Sequence, residues 1–438
     1  MDSLQGDCQC SKAELDIFSQ PPVNISMERG DYEVFRPLAN IQEEEGPIEF
    51  NAPGTADLYT DLGRTKLLLR VKITTAKNTD MANDAAIAPT NNFLHSLFSQ
   101  VDFKINETLV SPSTNTYAYK SYLETLLSHG SESKNTWLNT ELFYKDTGDF
   151  EIVDVASDDC SLGFKERASV AASSRVFEMY GRPHLDMLHT DRYLLNGVGM
   201  NFKFIRSPKA FHIMGDSANV RVKILAAELH VRRVKINPTI SLQHTQTMNG
   251  GVTAKYPIRR GVVLSFTIPQ GNQSFIKESL TQGQQPRRAF GGIVNNSAFN
   301  GTGLQNPFNF LPHGLDYLVM NTGGQSFPSQ PLRPDFAAGN YVQAFHSLYQ
   351  AAGLDCTGRG MDVDYADFAR GYAIYGFDFT ADMSEGAHVD PVKYGNLCVE
   401  GHFSAPLTRP VNFVLYLEFD NVVQIDRARN VITDFASV

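Results

Sequence analysis

Apolar and polar residues alternate over several short segments of the chain. In residues 66–73 the apolar side chains Leu67, Leu69, Val71 and Ile73 fall on one face. This period of two is typical of a strand in an antiparallel sheet that buries one face. Further strands are predicted at residues 101–110, 201–206, 220–231, 262–268, 315–321, 371–379, 397–403 and 411–419.

A strand followed by an aromatic-rich helix occurs twice. Residues 101–106 are followed, after a polar loop, by residues 117–127, whose apolar side chains recur at helical spacing. Residues 315–321 and 341–352 repeat this order. Two similar halves indicate a duplicated domain, with chance similarity of two ordinary strand–loop–helix units as the alternative. Because alternating strand–helix–strand units are absent, the pattern disfavours a parallel nucleotide-binding sheet and favours the eight-stranded jelly roll.

The length of 438 residues suits two domains. Residues 1–45 are polar, acidic near their end and without periodicity, so we expect a flexible N-terminal arm. The remaining boundaries predicted are a first jelly roll at 46–236, a linker at 237–253 and a second jelly roll with a C-terminal tail at 254–438. Residues 130–170 are expected to form an insertion, and residues 280–313 and 322–338 long loops.

Composition excludes several classes of protein. The net charge of -10 argues against a protein that coats nucleic acid, because phosphate neutralisation needs a basic excess. No run of 18 apolar residues is present, so no transmembrane helix is expected. The first 30 residues lack the pattern of a secretory signal. Five widely spaced cysteines, an odd number, indicate free thiols in a reducing compartment.

The densest cluster of potential ligands contains His184, Asp186, His189 and Asp191. Imidazoles and carboxylates of this kind bind zinc or non-haem iron. The two histidines are five positions apart, however, which points them to different faces of a strand or a helix. We therefore interpret this segment as a turn-rich structural element held by side-chain hydrogen bonds, with a metal site as the alternative.

Other candidate sites are weaker. Asp362, Asp364 and Asp367 could bind calcium, but no EF-hand loop surrounds them, and a solvated loop is favoured. Cys8 and Cys10 lack a second pair that would complete a zinc site. Nucleophile-elbow, phosphate-loop and dinucleotide motifs are absent. The sequence therefore predicts no catalytic, cofactor-binding or metal-binding residues.

Three basic pairs stand out, at residues 232–233, 259–260 and 287–288. They could face packaged nucleic acid. Given the acidic net charge, ordinary surface charges and subunit contacts are the favoured interpretation.

Several ordered motifs carry a resemblance to a known family. Residues 180–206 contain Leu-Leu-Asn-Gly-Val, an alternating strand and a final Arg206. Further motifs that carry the resemblance lie at residues 231–238 and 254–260. Others follow at 375–380, 395–397 and 417–432. Over residues 46–436 the chain resembles the major capsid proteins of Polinton (Maverick) elements and the related adintoviruses.

The resemblance implies a double jelly roll that trimerises into pseudo-hexameric capsomers, which tile an icosahedral shell around double-stranded DNA. It implies a virion location, with synthesis in the host cytoplasm and assembly there or in the nucleus. The implied partners are further copies of the chain and a penton or minor capsid protein, with no specific nucleic-acid site, membrane span, cofactor or enzymatic activity.

Two alternatives remain beside this interpretation. One is a capsid protein of a virophage or of a nucleocytoplasmic large DNA virus, with the same fold and assembly. The other, more distant, is a two-domain β-sandwich enzyme acting on carbohydrate. Such an enzyme needs two carboxylates across a cleft, and nothing in the sequence singles out a pair.

Overall fold

The computed structural model describes residues 15, 17–18, 20, 23–41, 46–83, 85–381, 383 and 390–435. Within these residues the chain forms two β-sandwiches, each made of two antiparallel sheets. The predicted fold class, all-β with two tandem jelly rolls and short inserted helices, is confirmed.

The first jelly roll is built from two four-stranded sheets, ordered β1-β10-β3-β7 and β2-β8-β5-β6, with β4 and β9 as an additional ribbon. Its strands are β1 (Met27–Phe35), β2 (Ile48–Ala52), β3 (Tyr59–Thr75), β4 (Ile87–Pro89), β5 (Phe98–Ile105), β6 (Thr108–Leu109), β7 (Val176–Gly181), β8 (Met200–Arg206), β9 (Ile213–Gly215) and β10 (Val220–Ile236). Its α-helices are α1 (Phe93–Ser96), α2 (Tyr117–Ser128), α3 (Ser131–Lys134), α4 (Leu162–Ala171) and α5 (Lys209–His212). Short 3-10 helices occur at Trp137–Glu141, Ala172–Ser174, Asp186–His189 and Ser217–Asn219.

Helix α6 (Pro238–Asn249) leads into the second jelly roll. The sheets there are ordered β11-β19-β14-β17 and β12-β18-β15-β16, with β20 beside β19 and β13 beside β18. The strands are β11 (Ala254–Ile268), β12 (Ser274–Lys277), β13 (Gln282–Gln284), β14 (Arg288–Asn295), β15 (Leu315–Thr322), β16 (Gln325–Leu332), β17 (Ile374–Asp378), β18 (Tyr394–Phe403), β19 (Val411–Ile425) and β20 (Val431–Thr433). The helices are α7 (Asn296–Asn300), α8 (Val342–Ala351) and α9 (Tyr365–Arg370).

The two jelly rolls share one topology. When β4, β9, β13 and β20 are set aside, the strands of each roll, numbered within the roll, run 1-8-3-6 in one sheet and 2-7-4-5 in the other. Helices α2 and α8 both lie between the fifth and sixth strands. The repeated strand-and-helix segment therefore marks the same place in both rolls, as duplication predicts.

Alternation in the sequence becomes alternation in burial. In β3 the side chains of Leu67, Leu69, Val71 and Ile73 are buried, whereas Arg70 between them is exposed. Burying one face of a sheet against a second sheet removes apolar surface from water at about 25 cal/mol per Å². This burial selects the register, since a shift by one residue would expose the apolar set.

Several strands lie where the sequence predicted none, and the three longest are β1, β14 and β16. β1 falls within the predicted arm at 1–45, and pairs with β10 as the edge strand of its sheet. It was missed because most of its residues are exposed, so it shows no apolar alternation. β14 falls in a predicted loop and is buried at every position, which also removes the alternation. β16, in another predicted loop, is an edge strand that contains four polar residues and two prolines among its eight positions.

One further prediction needs correction. The single strand expected at 101–110 is a hairpin of β5 and β6, because Asn106 and Glu107 adopt positive φ and turn the chain. The predicted linker at 237–253 contains α6, which Asn237 caps by accepting a hydrogen bond from the Thr239 backbone. Residues 43–45, the acidic part of the predicted arm, lie outside the described residues.

The hydrophobic cores of the two rolls interlock. Helix α2 belongs to the first roll by sequence, yet its apolar face packs into the core of the second. The ring of Tyr122 stacks on Phe308 with a centroid distance of 4.1 Å, and the hydroxyl of Tyr119 donates to the carbonyl of Pro307. In return, the start of β11 and the end of β19 pack into the first core through Tyr256, Ile258, Val423 and Ile425.

Removing the ring of Tyr122 should therefore destabilise the whole protein. We expect Tyr122→Ala to lower the free energy of unfolding by about 3–5 kcal/mol, because it leaves a cavity between the rolls. Urea unfolding followed by circular dichroism measures this loss. The control is Tyr394→Ala, at a side chain 73% exposed, with an expected change within about 0.5 kcal/mol. Equal effects of the two substitutions would contradict the interlocked core.

Candidate functional site

Charged side chains are buried where α2 meets the second roll. We call the set Lys120, Glu124, Asp186, His184, His95 and Glu141 the seam network. The apolar positions of α2, at residues 119, 122, 123 and 126, carry the helix onto the second roll, and Lys120 is drawn inward with them. The whole network is thereby shielded from solvent, with Glu124 as its most accessible member.

Lys120 and Asp186 form the central ion pair of the seam network. Nζ of Lys120 lies 2.5 Å from Oδ1 of Asp186 and 3.8 Å from Oε1 of Glu124. The second roll contributes two donors: the backbone N–H of Gly261 in β11 donates to Asp186, and the hydroxyl of Tyr416 in β19 donates to Glu124. These carboxylates are therefore shared between the rolls.

The position of Gly261 depends on having no side chain. A Cβ there would stand 2.8 Å from the ring of Tyr416 and 3.0 Å from Oε1 of Glu124. Any larger residue would push β11 away from the seam network and break the hydrogen bond to Asp186.

Burial and the ion pair shift the pKa values of Asp186 and Lys120 in opposite directions. Burial raises the pKa of Asp186, and the neighbouring Lys120 opposes that shift. Burial alone would lower the pKa of Lys120, but Asp186 and Glu124 raise it above its ordinary value. The lysine is therefore held in its charged form, as a buried ion pair requires.

The histidine end of the network is also hydrogen-bonded. Nδ1 of His184 lies 2.7 Å from Oε2 of Glu124, and Nε2 of His95 lies 3.3 Å from Oε2 of Glu141. Nδ1 of His95 faces the hydroxyl of Tyr117 at 3.0 Å. Burial holds the pKa of His184 well below its ordinary value, and His95 adds to the shift. Burial would raise the pKa of Glu141, but the hydrogen bond and charge of His95 bring it below its ordinary value.

Another contact between the rolls surrounds α5. Backbone hydrogen bonds join Gly215 to Gly303 and Gly303 to Ala210. His212, in the same helix, is buried against the ring of Phe93 at a centroid distance of 6.0 Å. Burial lowers the pKa of His212 to about 4, and the charge of Arg206 acts in the same direction.

The structure places the predicted cluster partly in the seam network. His184 and Asp186 belong to it, whereas His189 and Asp191 are exposed. The interpretation as a structural element therefore fits the first two residues. Sequence reasoning missed His95, Lys120, Glu124 and Glu141, which are distant in the chain. One signal was available, since Lys120 and Glu124 are spaced i, i+4 on a helix whose neighbouring positions are apolar.

Four of the six arginines in the basic pairs are internal, which corrects the interpretation of these four as ordinary surface charges. Arg233, Arg260, Arg287 and Arg288 are buried. Their partners are Glu33 for Arg233, the Phe419 ring and Asn421 for Arg260, Asp420 for Arg287 and Asp378 for Arg288. Arg232 pairs with Asp61 at 3.0 Å, and Arg259 is exposed. Because these partners are 90–200 positions away, the local sequence could not reveal the ion pairs and ring contact.

The acidic cluster near residue 364 has structural roles. Asp364 caps α9 and forms a capping box with Asp367. Lys145 of the first roll lies 2.7 Å from Asp367 and 3.6 Å from Asp362. The described cysteines, Cys160, Cys356 and Cys398, are free thiols, as predicted. Cys8 and Cys10 lie outside the described residues.

Comparisons with known proteins support the fold over nearly the whole chain. A chain from a structure of the Sputnik virophage has a TM-score of 0.66 at 11% identity, covering 98% of this chain and 93% of its own. The Faustovirus major capsid protein has a TM-score of 0.54 at 8% identity, covering 93% and 92%. The mavirus major capsid protein has a TM-score of 0.53 at 10% identity, covering 97% and 93%. The fold is thus that of double jelly-roll major capsid proteins.

In sequence, the chain is 27% identical to an uncharacterized protein of Caenorhabditis elegans over 417 residues, 91% of this chain and 95% of that protein. No family model matches the chain. Among the described residues, no helix has both the length and the apolar character needed to cross a membrane.

The buried ion pair predicts that replacing Lys120 destabilises the protein much more than replacing an exposed lysine. We expect Lys120→Met to cost about 3–5 kcal/mol of unfolding free energy, because Asp186 is left buried without its cation. Lys203→Met is the control, since Lys203 pairs with Glu49 at 3.1 Å on an accessible surface, and should cost at most about 1 kcal/mol. Chemical unfolding of both variants measures the difference. Equal costs would show that the seam pair is not buried in solution.

The buried ring of His212 predicts that the protein loses stability as the pH falls. An unfolded imidazole binds its proton near pH 6.5, whereas folded His212 does so only near pH 4. The unfolded state therefore holds more protons in that window, and this contribution to stability is present above pH 6.5 and lost as pH falls towards 4.

We expect His212→Gln to lose less stability than the wild-type protein between pH 7 and pH 5, by up to about 2 kcal/mol. Urea unfolding at several pH values gives the two profiles. The exposed His346→Gln is the control and should follow the wild-type profile. Parallel profiles for wild type and His212→Gln would contradict the burial of this ring.

Proposed function

We propose that this protein is a major capsid protein of the Polinton (Maverick) or adintovirus type. The observation that carries the proposal is the double jelly roll, which aligns along nearly the whole length of both this chain and viral major capsid proteins. The similar protein of Caenorhabditis elegans, an animal, is matched over 95% of its length. This favours an element resident in a host genome over a free virophage or a large DNA virus.

In this proposal three chains form one capsomer. Two rolls per chain give six similar barrels around a threefold axis, so a trimer fills a sixfold position of an icosahedral lattice. Fusion of two non-identical rolls is useful there only if their relative orientation is fixed. The interlocked cores and the shared carboxylates of the seam network supply that rigidity.

The proposed role is structural and not enzymatic. The seam network is the densest cluster of ionisable side chains described above, and it is closed to substrates because His95, Glu141, Lys120 and Asp186 are all at most 5% exposed. The partners proposed are further copies of the chain, first within the trimer and then between capsomers, and a penton or minor capsid protein. The proposed location of the protein is the virion shell around double-stranded DNA, and the proposed site of its synthesis is the host cytoplasm.

For the domain division, we propose the first roll at 46–236 and the second at 254–438, with two amendments. β1 belongs to the first roll, because it completes the strand order of that sheet. α2 belongs to the first roll in sequence but to both in packing. The segment before β1 exposes apolar side chains, with Phe18 93% and Val23 77% exposed, which supports contact with a neighbouring chain.

Assembly provides the test of this function. Multi-angle light scattering of the purified full chain should give a mass of about three chains per particle, and the mass should persist on dilution to low micromolar concentration, because capsomer subunits bury large interfaces. Tyr122→Ala tests whether a fixed orientation of the rolls is needed, and we expect it to lower the fraction of trimer. A uniform monomer in the wild-type protein would contradict the proposal.

A further inference from the structure

Three side chains of the metal-ligand type converge in the seam network. One ring nitrogen of His95, one of His184 and one carboxylate oxygen of Glu141 lie within 4.8 Å of one another. They come from three segments, since His95 lies in α1, Glu141 ends the 3-10 helix at Trp137–Glu141, and His184 precedes the 3-10 helix at Asp186–His189. All three are buried, with exposures of 1%, 3% and 8% for His95, Glu141 and His184.

Both imidazole rings form a hydrogen bond through Nδ1, so the Nε2 atom of each ring faces a different group. Nδ1 of His184 is 2.7 Å from the Glu124 carboxylate, so it carries the proton and donates it, and Nε2 keeps its lone pair. The neighbour of that lone pair is the hydroxyl of Thr125 at 3.3 Å. Nδ1 of His95 is held by the Tyr117 hydroxyl at 3.0 Å. Metal-binding histidines in proteins are oriented in this way, by a carboxylate or another polar group on the second nitrogen.

The Glu141 carboxylate occupies a space that the backbone leaves for it. A Cβ at position 181 would collide with this side chain, so Gly181 in β7 is what allows the carboxylate to reach His95. Nε2 of His95 and Oε2 of Glu141 are 3.3 Å apart. Two ligands bound tetrahedrally to zinc at about 2.0 Å lie at about the same separation. The pair is therefore already spaced for a shared ion, and a ring nitrogen of His184, which lies within 4.8 Å of both ligand atoms, would approach to join it.

We propose that His95, Glu141 and His184 bind a divalent transition-metal ion, and that zinc(II) suits this set of two nitrogens and one oxygen best. The ion would bind Nε2 of His95 in place of the proton directed at Glu141, and the neutral ring would carry its one proton on Nδ1, facing the Tyr117 hydroxyl. A fourth position would be left for a small ligand such as water. Glu124 and Tyr117 would act as positioning residues that orient the two rings.

A metal ion here would fix the seam between the rolls. It would join α1 and the segment after α3 to His184, two positions from the Asp186 carboxylate that binds β11. His184 is in turn held by Glu124 of α2, which binds β19 through Tyr416. The inference concerns the stability of a single chain, so it can hold whether or not the chain forms trimers.

A second ligand set shares one residue with the first. Glu124, His184 and His189 also have ligand atoms within 4.8 Å of one another. In that set His189 is exposed, and Glu124 is engaged by Lys120 and Tyr416. The set of His95, Glu141 and His184 is favoured because all its members are buried and because Glu124 keeps its hydrogen bond to His184.

Metal content and a spectroscopic signature test the proposal on the full chain. Elemental analysis of protein purified without chelator, or incubated with zinc(II) and desalted, should give about one zinc per chain. Cobalt(II) added to chelator-treated protein should give the intense visible absorption of a four-coordinate site, and zinc(II) should abolish it. Zinc(II) should also raise the midpoint of thermal unfolding of the chelator-treated wild-type protein. This measurement needs no variant.

Glu141→Gln should weaken zinc(II) binding by more than about 100-fold, because the loss of a mere orienting partner already costs 10- to 100-fold. His189→Gln and the surface variant His402→Gln should bind as the wild-type protein does. The proposal is overturned if the wild-type protein shows no stoichiometric binding and no cobalt(II) absorption, or if His189→Gln abolishes binding while Glu141→Gln retains it.

Discussion

The buried pairing of Lys120 with Asp186 is the constraint on which the arrangement of the two rolls depends. Charges withdrawn from water are tolerated only when they are paired and hydrogen-bonded. Here the second roll supplies part of that hydrogen bonding, because β11 brings the N–H of Gly261 to Asp186 and β19 brings the hydroxyl of Tyr416 to Glu124. An apolar face alone would allow α2 to slide on the second roll, whereas a buried ion pair shared by both rolls fixes one position.

This constraint links the fold to the proposed function. Each roll is a common sandwich, and nothing in one sandwich sets its orientation towards another. The orientation follows from α2, which packs its aromatic side chains into the second core, and from β11 and β19, whose outer ends pack into the first. A chain that presents two barrels as one rigid body can place six barrels around a threefold axis, which separate domains on a flexible linker could not do.

Sequence patterns predicted the elements whose burial is one-sided. β3 and β8 were found because one face is buried and the other is not, and α2 and α8 because aromatic side chains recur at helical spacing. β14 is buried on both faces and β1 is largely exposed, so neither carries an alternating pattern. Most of the seam network could not be predicted from the sequence, because His95, Glu124 and His184 meet only through tertiary packing. The same limit explains the basic pairs, whose partners, such as Asp378 for Arg288, lie on other strands.

The most direct measurement of the central claim is a cryo-electron microscopy reconstruction of the purified, assembled protein. The account predicts capsomers with three chains and six upright barrels around a threefold axis. It also predicts that α2 lies between the two barrels of one chain and contacts β11 and β19 as described. A reconstruction with separated rolls, or with capsomers whose barrels do not form a pseudo-sixfold ring, would contradict it.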